Sequence, residues 1–334
     1  MRKISIGLAL GVAASLTLAA CSSATTPAAT GGTGTSTAAA TSGAKPYIAI
    51  VSKGFQHQFW QAVKSGAESK AKELNVEITF EGPAAETEVE NQMTMLQNAL
   101  TKKPAALGFA ALDSKAAASV LQQFKDASIP VIAFDSGVDS DIPLTTAATD
   151  NKAAAAEGAK HMCELIGGKG KVGVVVHDQT SKSGTDRRDG FIEGIKANCA
   201  DVQLLETQYG GGDQAKSADI VKSMIQANPD IAGIFGSNEG SAIGAVKGVQ
   251  EAGDAAKNIK LVGFDSGQAQ IDAINSGLMA GAITQNPVGM GEAVVDAAVK
   301  AIKGETLPKT IDTGFYWYDK TNITDPKIAA VLYK

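Results

Sequence analysis

The sequence predicts an α/β protein made of two similar units, each a parallel sheet covered by helices on both faces. Three observations carry this. From Tyr47 onward, short β-rich runs alternate with segments of helical period, the pattern of consecutive βαβ units. The runs are nearly continuous in apolar character rather than alternating, as strands are when both sheet faces are covered. Finally, Ile129–Gly137 (IPVIAFDSG) is echoed by Ile259–Gly267 (IKLVGFDSG), two strands that share a Phe-Asp-Ser-Gly ending.

In the first half, the strand candidates are YIAIVS from Tyr47, VEITFEG from Val76, ALGFAAL from Ala106 and PVIAFD from Pro130. Helical patterns fall between them over Phe59–Leu74, Glu86–Leu100 and Lys115–Ala127. The second half repeats the scheme with KVGVVVHD from Lys171, VQLLETQY from Val202, IAGIFGSN from Ile231, KLVGFDSG from Lys260 and AGAITQNP from Ala280. Its helices run over Lys152–Ile166, Thr185–Asn198, Asp213–Ala227, Gly240–Ala252, Gln268–Ser276 and Gly289–Lys303. Lys103-Pro104 and Asn228-Pro229 close helices ahead of strands.

The N-terminus reads as a targeting segment. Arg2 and Lys3 precede an apolar run, Ile4 to Ala20, which ends in small residues before Cys21. That order is a secretory signal, and the run is too short, with the wrong flanks, for a spanning helix. Leu18-Ala19-Ala20-Cys21 matches the lipobox at which bacterial lipoproteins are cleaved and their cysteine is acylated. Residues 1–20 are therefore expected to be removed and Cys21 to carry the lipid anchor, which is stable when more than one acyl chain is attached. Residues 21–45 follow as a linker whose Ser, Thr, Ala and Gly cannot bury enough apolar area to fold. Its Gly32 and Gly34 are not a dinucleotide fingerprint, since no strand precedes them. The expected location is extracytoplasmic, on the membrane surface.

The remainder, from Lys45, is long enough for two domains. The formal net charge of −5 falls to −7 once Arg2 and Lys3 are cleaved. A mildly acidic chain without a basic patch argues against nucleic acid or an anionic lipid surface as partner. Cys163 and Cys199 each lie late in a helix of the same unit; they either form a disulfide in an oxidising compartment or remain two buried thiols. With three His in all, no HExxH and no paired CxxC, no metal site or cofactor is expected.

Candidate ligand residues sit just past strand ends, the edge at which open α/β sheets bind ligands. Lys53 and His57 follow the first strand, with Phe59 and Trp60 beyond them. A polyhydroxylated ring needs flat aromatic walls and polar groups at its rim. One of Phe59 and Trp60 is expected to serve the core and the other the ligand. Asp135 and Asp265, at the twin strand ends, each accept hydroxyl hydrogens when ionised. A cation opposes the dipole at a helix N-terminus, so one of Arg187 and Arg188 should have a specific partner. Asn238 and Gln285 end two further strands. His177-Asp178, with Ser181 and Ser183 nearby, holds hydrolase residue types, but neighbours at a strand end point to opposite faces and no GxSxG elbow occurs. Binding without catalysis is expected.

From Tyr47 to about Lys320, the chain resembles type I periplasmic sugar-binding proteins of the ribose-binding class, whose strand-end residues recur here in order. The resemblance implies two Rossmann-like lobes joined by a three-segment hinge, with crossings near Asp150-Asn151, Asn286-Pro287 and Asp312–Phe315. The N-terminal lobe would comprise 46–149 plus 287–311, and the C-terminal lobe 150–286 plus 312–334. Phe59 and Trp60 match the aromatic positions, Asp135 and Asp265 the two acids, Arg187 the arginine, Asn238 the asparagine and Gln285 the hinge glutamine. Departures are Lys53, His57 in place of asparagine, Ser136 in place of arginine, Ala110 or Ala111 in place of a polar contact, and Asp178 in place of an apolar residue. They favour a pentose, hexose or polyol other than ribose. The implied role is capture of a sugar for the permease of an ABC transporter by a monomeric, lipid-anchored protein. A sensory receptor feeding a chemotaxis or kinase partner is the alternative.

Overall fold

The computed structural model describes residues 45–333. The signal segment, Cys21 and the linker up to residue 44 lie outside them. The chain begins with β1 (Tyr47–Val51), α1 (Gln58–Glu73), β2 (Glu77–Glu81), α2 (Val89–Thr101), β3 (Ala106–Phe109), α3 (Ala118–Asp126), β4 (Val131–Phe134) and β5 (Thr145–Ala148). It crosses into α4 (Asn151–Leu165), β6 (Lys169–Val176), α5 (Lys182–Asn198), β7 (Asp201–Leu204), β8 (Gln208–Tyr209), α6 (Gln214–Ala227) and β9 (Ile231–Gly236). The same lobe continues with α7 (Glu239–Ala252), β10 (Lys260–Phe264), α8 (Gln268–Ser276) and β11 (Gly281–Gln285). The last part comprises α9 (Pro287–Ile302), β12 (Thr310–Asp312), β13 (Phe315–Tyr318) and α10 (Pro326–Ala329).

Two sheets result, one per lobe. The first has the order β12-β5-β4-β3-β1-β2 and is parallel throughout. The second has the order β13-β11-β10-β9-β6-β7, with β8 also paired to β6 and β13 alone antiparallel. The chain passes between the sheets three times, after β5, after β11 and between β12 and β13.

Each sheet is sandwiched, which accounts for the uninterrupted apolar strands. Trp60, Val63 and Ala67 of α1 pack with Val294 and Ala298 of α9 on one face of the first sheet. Leu96 of α2 and Leu121 and Phe124 of α3 fill the other. In the second lobe, Met162, Phe191 and Ile195 cover one face, and Val221, Ile225 and Ile274 the other. Small residues let the paired helices approach. A Cβ on Gly194 of α5 would come within 2.7 Å of the Ala159 Cβ on α4. Cys163 and Cys199 are joined in a disulfide between the far ends of α4 and α5, with a Cα–Cα separation of 5.9 Å.

Several boundaries differ from the sequence expectation. VQLLETQY is two short strands rather than one, because the chain leaves β6 at Leu205 and rejoins it at Gln208. The helix expected from Glu86 begins only at Val89, which frees Glu86 for another role. The one expected from Thr185 begins a turn earlier, at Lys182, because Ser181 accepts the Gly184 N–H as its cap. Strands β5, β12 and β13 were not anticipated.

Candidate functional site

The carboxyl edges of the two sheets face each other across a tightly closed cavity of about 20 Å³. It is lined by Lys53, His57, Phe59, Trp60, Asp135, Arg187, Asn238, Asp265 and Gln285, together with Glu86, His177 and Ser183. Nine of the ten residues expected at a ligand site thus converge on one cavity. Asp178 is the exception.

The twin Phe-Asp-Ser-Gly endings are one local structure used twice. Asp135 and Asp265 both adopt left-handed backbone, with φ of 55° and 79°, a conformation that Asp tolerates better than most residues. Each N–H still donates to the neighbouring strand, Asp135 to Ala147 O at 2.9 Å and Asp265 to Ile283 O at 2.6 Å. The corner turns each carboxylate off the sheet edge into the cleft. Burial pushes the Asp135 carboxyl up to about 6, against the pull of the Lys53 and Arg187 cations. Asp265 is fixed by its neighbours: Oδ2 accepts the Glu239 N–H at 2.9 Å, and Oδ1 accepts from Gln285 Nε2 at 2.7 Å. The Gln285 side-chain oxygen is buried and has no protein partner.

Phe59 and Trp60 do not divide between core and cleft as expected. Both are buried in the N-terminal core and both line the cavity, packed edge to face at 4.9 Å. Trp60 Nε1 donates to Glu86 Oε1 at 2.8 Å. Glu86, left outside α2 by the late start of that helix, is a third acid in the wall. Burial favours its neutral form, but Lys53, His57, His177 and the Trp60 hydrogen bond outweigh this and hold it below the usual range. Its remaining oxygen lies 3.4 Å from Asn238 Nδ2 of the other lobe.

Lys53 is no rim residue. It is 2 % exposed and reaches across the cleft to Ser181 and Ser183 Oγ, both at 3.3 Å, and to Asp178 Oδ2 at 3.5 Å. Burial would lower its pKa, yet Glu86, Asp178 and Asp135 together raise it, so it stays charged. Asp178 stands behind Lys53 rather than in the wall. Its carboxylate accepts the N–H groups of Thr180 and Ser181 and the Ser181 hydroxyl, the turn that opens α5. Ser136 accepts the Ser183 N–H across the cleft at 3.2 Å.

Arg187 is the arginine with specific partners. Its Nε donates to Asn151 Oδ1 at 2.7 Å, Nη1 donates to Ser237 O at 3.0 Å, and its guanidinium lies 3.8 Å over the Phe264 ring. Arg188 is partly exposed and pairs with Asp189. His57 is 4 % exposed, with Nε2 at 3.5 Å from Asn238.

His177 and Asp178 come closer than strand alternation predicts, because the chain curls past the end of β6. His177 Nε2 is 3.5 Å from Asp178 Oδ2, and Nδ1 is 2.7 Å from Ser237 Oγ. These are hydrolase-like partners, but Ser237 is fully buried and does not reach the cavity. Burial and Lys53 hold His177 below its usual pKa and hence neutral. Among the described residues, no cluster of three metal-ligating side chains occurs.

Two parallel α/β lobes closed over a polar cavity define a solute-binding architecture. The chain belongs to the periplasmic binding protein domain family, whose model matches residues 48–306. It is 26 % identical to the D-allose-binding periplasmic protein of Escherichia coli over 269 residues, 78 % of this chain and 86 % of that protein. Among solved structures, an ABC transporter solute-binding protein from Agrobacterium vitis with bound D-fucose superposes with a TM-score of 0.83 at 34 % identity, covering 86 % of this chain and all of that one. A second from the same organism, bound to α-D-tagatopyranose, gives 0.83 at 32 % identity, covering 87 % and 100 %.

Proposed function

We propose that the protein captures a monosaccharide or related polyol between its lobes and delivers it to the permease of an ABC transporter. The observation that carries this reading is the closed cavity itself, in which both strand-end acids and an arginine face two aromatic rings. Asp135, Glu86 and the unpaired Gln285 oxygen accept hydroxyl hydrogens; Arg187, Asn238 and Lys53 donate to hydroxyl oxygens. Trp60 and Phe59 cover an apolar C–H face. The ligand bridges groups of both lobes, so it binds the closed state more tightly than the open one and shifts the population toward it. The protein releases the ligand unchanged, and no catalytic step is assigned to His177 or its neighbours.

In this reading, residues 1–20 direct export, lipidated Cys21 anchors the protein, and 21–45 tether it as a monomer within reach of the permease. The lobes comprise 46–149 plus 287–311 and 150–286 plus 312–334, a division supported by the placement of β12 and β13 in opposite sheets. The test is a thermal-shift screen of pentoses, hexoses and polyols, including D-fucose, D-allose and D-tagatose, followed by calorimetry. A ligand at about 100 times its Kd stabilises by about 2.7 kcal/mol. Asp135→Ala and Asp265→Ala should abolish binding while leaving the circular dichroism spectrum unchanged. Wild-type affinity in both variants would reject the site.

A further inference from the structure

Helix α1 has no cap of its own. His57 holds the N-cap position without a side-chain bond to the helix, and the first turn carries no acid. Leading N–H groups of a helix need acceptors when buried. Here the other lobe supplies them. Glu239, the first residue of α7, accepts the Gln58 N–H on Oε1 and the Phe59 N–H on Oε2, each at 3.0 Å.

The arrangement is reciprocal. Helix α8 starts after Gly267, which has no side chain with which to cap it. Its first N–H, on Gln268, donates instead to the side-chain oxygen of Gln58 on α1, at 2.8 Å. Each lobe thus caps a helix of the other. The exchange is also wired to the ligand wall, because the Glu239 N–H donates to the Asp265 carboxylate. Glu239 and Gln58 themselves are not among the cavity-lining residues.

We propose that Glu239 and Gln58 form a latch of helix caps exchanged between the lobes, made only on closure, which sets how long the closed state holds its ligand. The two are positioning residues: they act on the ligand through the lobe geometry and through Asp265. Opening the lobes separates α1 from α7 and α8, so the caps vanish in the open state and the freed N–H groups turn to water. The latch rests on the solute-binding reading for its ligand but not for its geometry.

The test uses the full chain with a fluorophore pair, one on an exposed position of α3 and one on α6, and D-fucose, D-allose and D-tagatose as probes. Glu239→Ala and Gln58→Ala should each raise the dissociation rate of a bound sugar roughly tenfold, the scale of one lost cap. Association rates and the ligand-free melting temperature should stay at wild-type values, a split that a merely structural role would not produce. Glu239→Gln, which keeps one acceptor oxygen, should fall between. The energy-transfer closed fraction should drop in both alanine variants. If Glu239→Ala misfolds, Gln58→Ala decides alone. Sugar binding with wild-type dissociation in the variants overturns the latch and leaves the sugar reading intact. No sugar binding, but a closed fraction that falls in the variants, keeps the latch and rejects the sugar reading. A wild-type chain with no closed population under any condition overturns the latch outright.

Discussion

Asp135 faces Lys53, Arg187, Glu86 and Asp265 inside a closed cavity, and burial raises its pKa to about 6 from the 3.8 of a free side chain. The consequence has a definite sign. The folded chain binds this proton more tightly than the unfolded one, so the ligand-free protein gains stability from Asp135 as pH falls through 6 toward 4. Ligand binding runs the other way, since the ionised carboxylate is the better acceptor for sugar hydroxyls. Affinity should therefore weaken roughly tenfold between pH 7 and pH 5, at one decade per unit below the pKa. Calorimetric titrations across that range check this, and Asp135→Asn should flatten the profile; a profile that stays steep in the variant places the titrating group elsewhere. The acids at the twin strand ends were legible because a tetrapeptide repeated at two strand ends marks one corner built twice, with its carboxylate at the binding edge each time. Glu86 was not legible. It reads as the first residue of a helix, and only the turn after Gly82-Pro83 holds it out of α2 and against Trp60. The expectation of Asp178 in the wall comes from the resemblance, which gives its place in the chain but not which neighbour its carboxylate chooses. Here Lys53 and the Ser181 turn claim it.

At the level of elements, apolar periodicity located the long helices and the central strands of both sheets. It missed β5, β12 and β13, which are short and at or near sheet edges; β5 and β12 are largely Thr, Ala and Asp, without the apolar run of a central strand. Whether Cys163 and Cys199 pair could not be read from spacing, because bonding depends on a Cα distance that only the packing of α4 on α5 sets. The cross-link closes a loop with a sequence separation of 36 and should contribute about 3–4 kcal/mol by restricting the unfolded chain. Replacing both cysteines by serine should lower the melting temperature by roughly 6–16 °C, at about 2–4 °C per kcal/mol. Sugar affinity should not change, since the bond joins the ends of α4 and α5 that lie away from the cleft. Scanning calorimetry with parallel titrations checks both halves, and a loss of affinity would mean that the cross-link shapes the site.

At the scale of the whole molecule, the lobes meet mainly through polar groups, with one apolar bridge: the Tyr333 ring packs on Phe59 in the N-terminal core while its hydroxyl accepts the Ser266 N–H. Lys53 to Ser181 and Ser183, Asn238 to Glu86, Ser183 to Ser136 and the exchanged caps of Glu239 and Gln58 all cross the cleft. Such an interface can open at modest cost, and the three crossings between the sheets give it a hinge. The sequence carried the two-lobe plan through its repeat and the order of its strand ends; it could not reveal the cross-cleft bonds, which exist only once both lobes are folded and closed. The central claim is that closure encloses one small polyhydroxylated solute. Titration calorimetry of the wild-type chain at pH 7 against hexoses, pentoses and polyols tests it most directly. Saturable binding of at least one monosaccharide is expected, one per chain, at micromolar Kd or tighter, about −8 kcal/mol; the absence of binding heat for every member of the panel at millimolar concentration would rule out enclosure of such a solute.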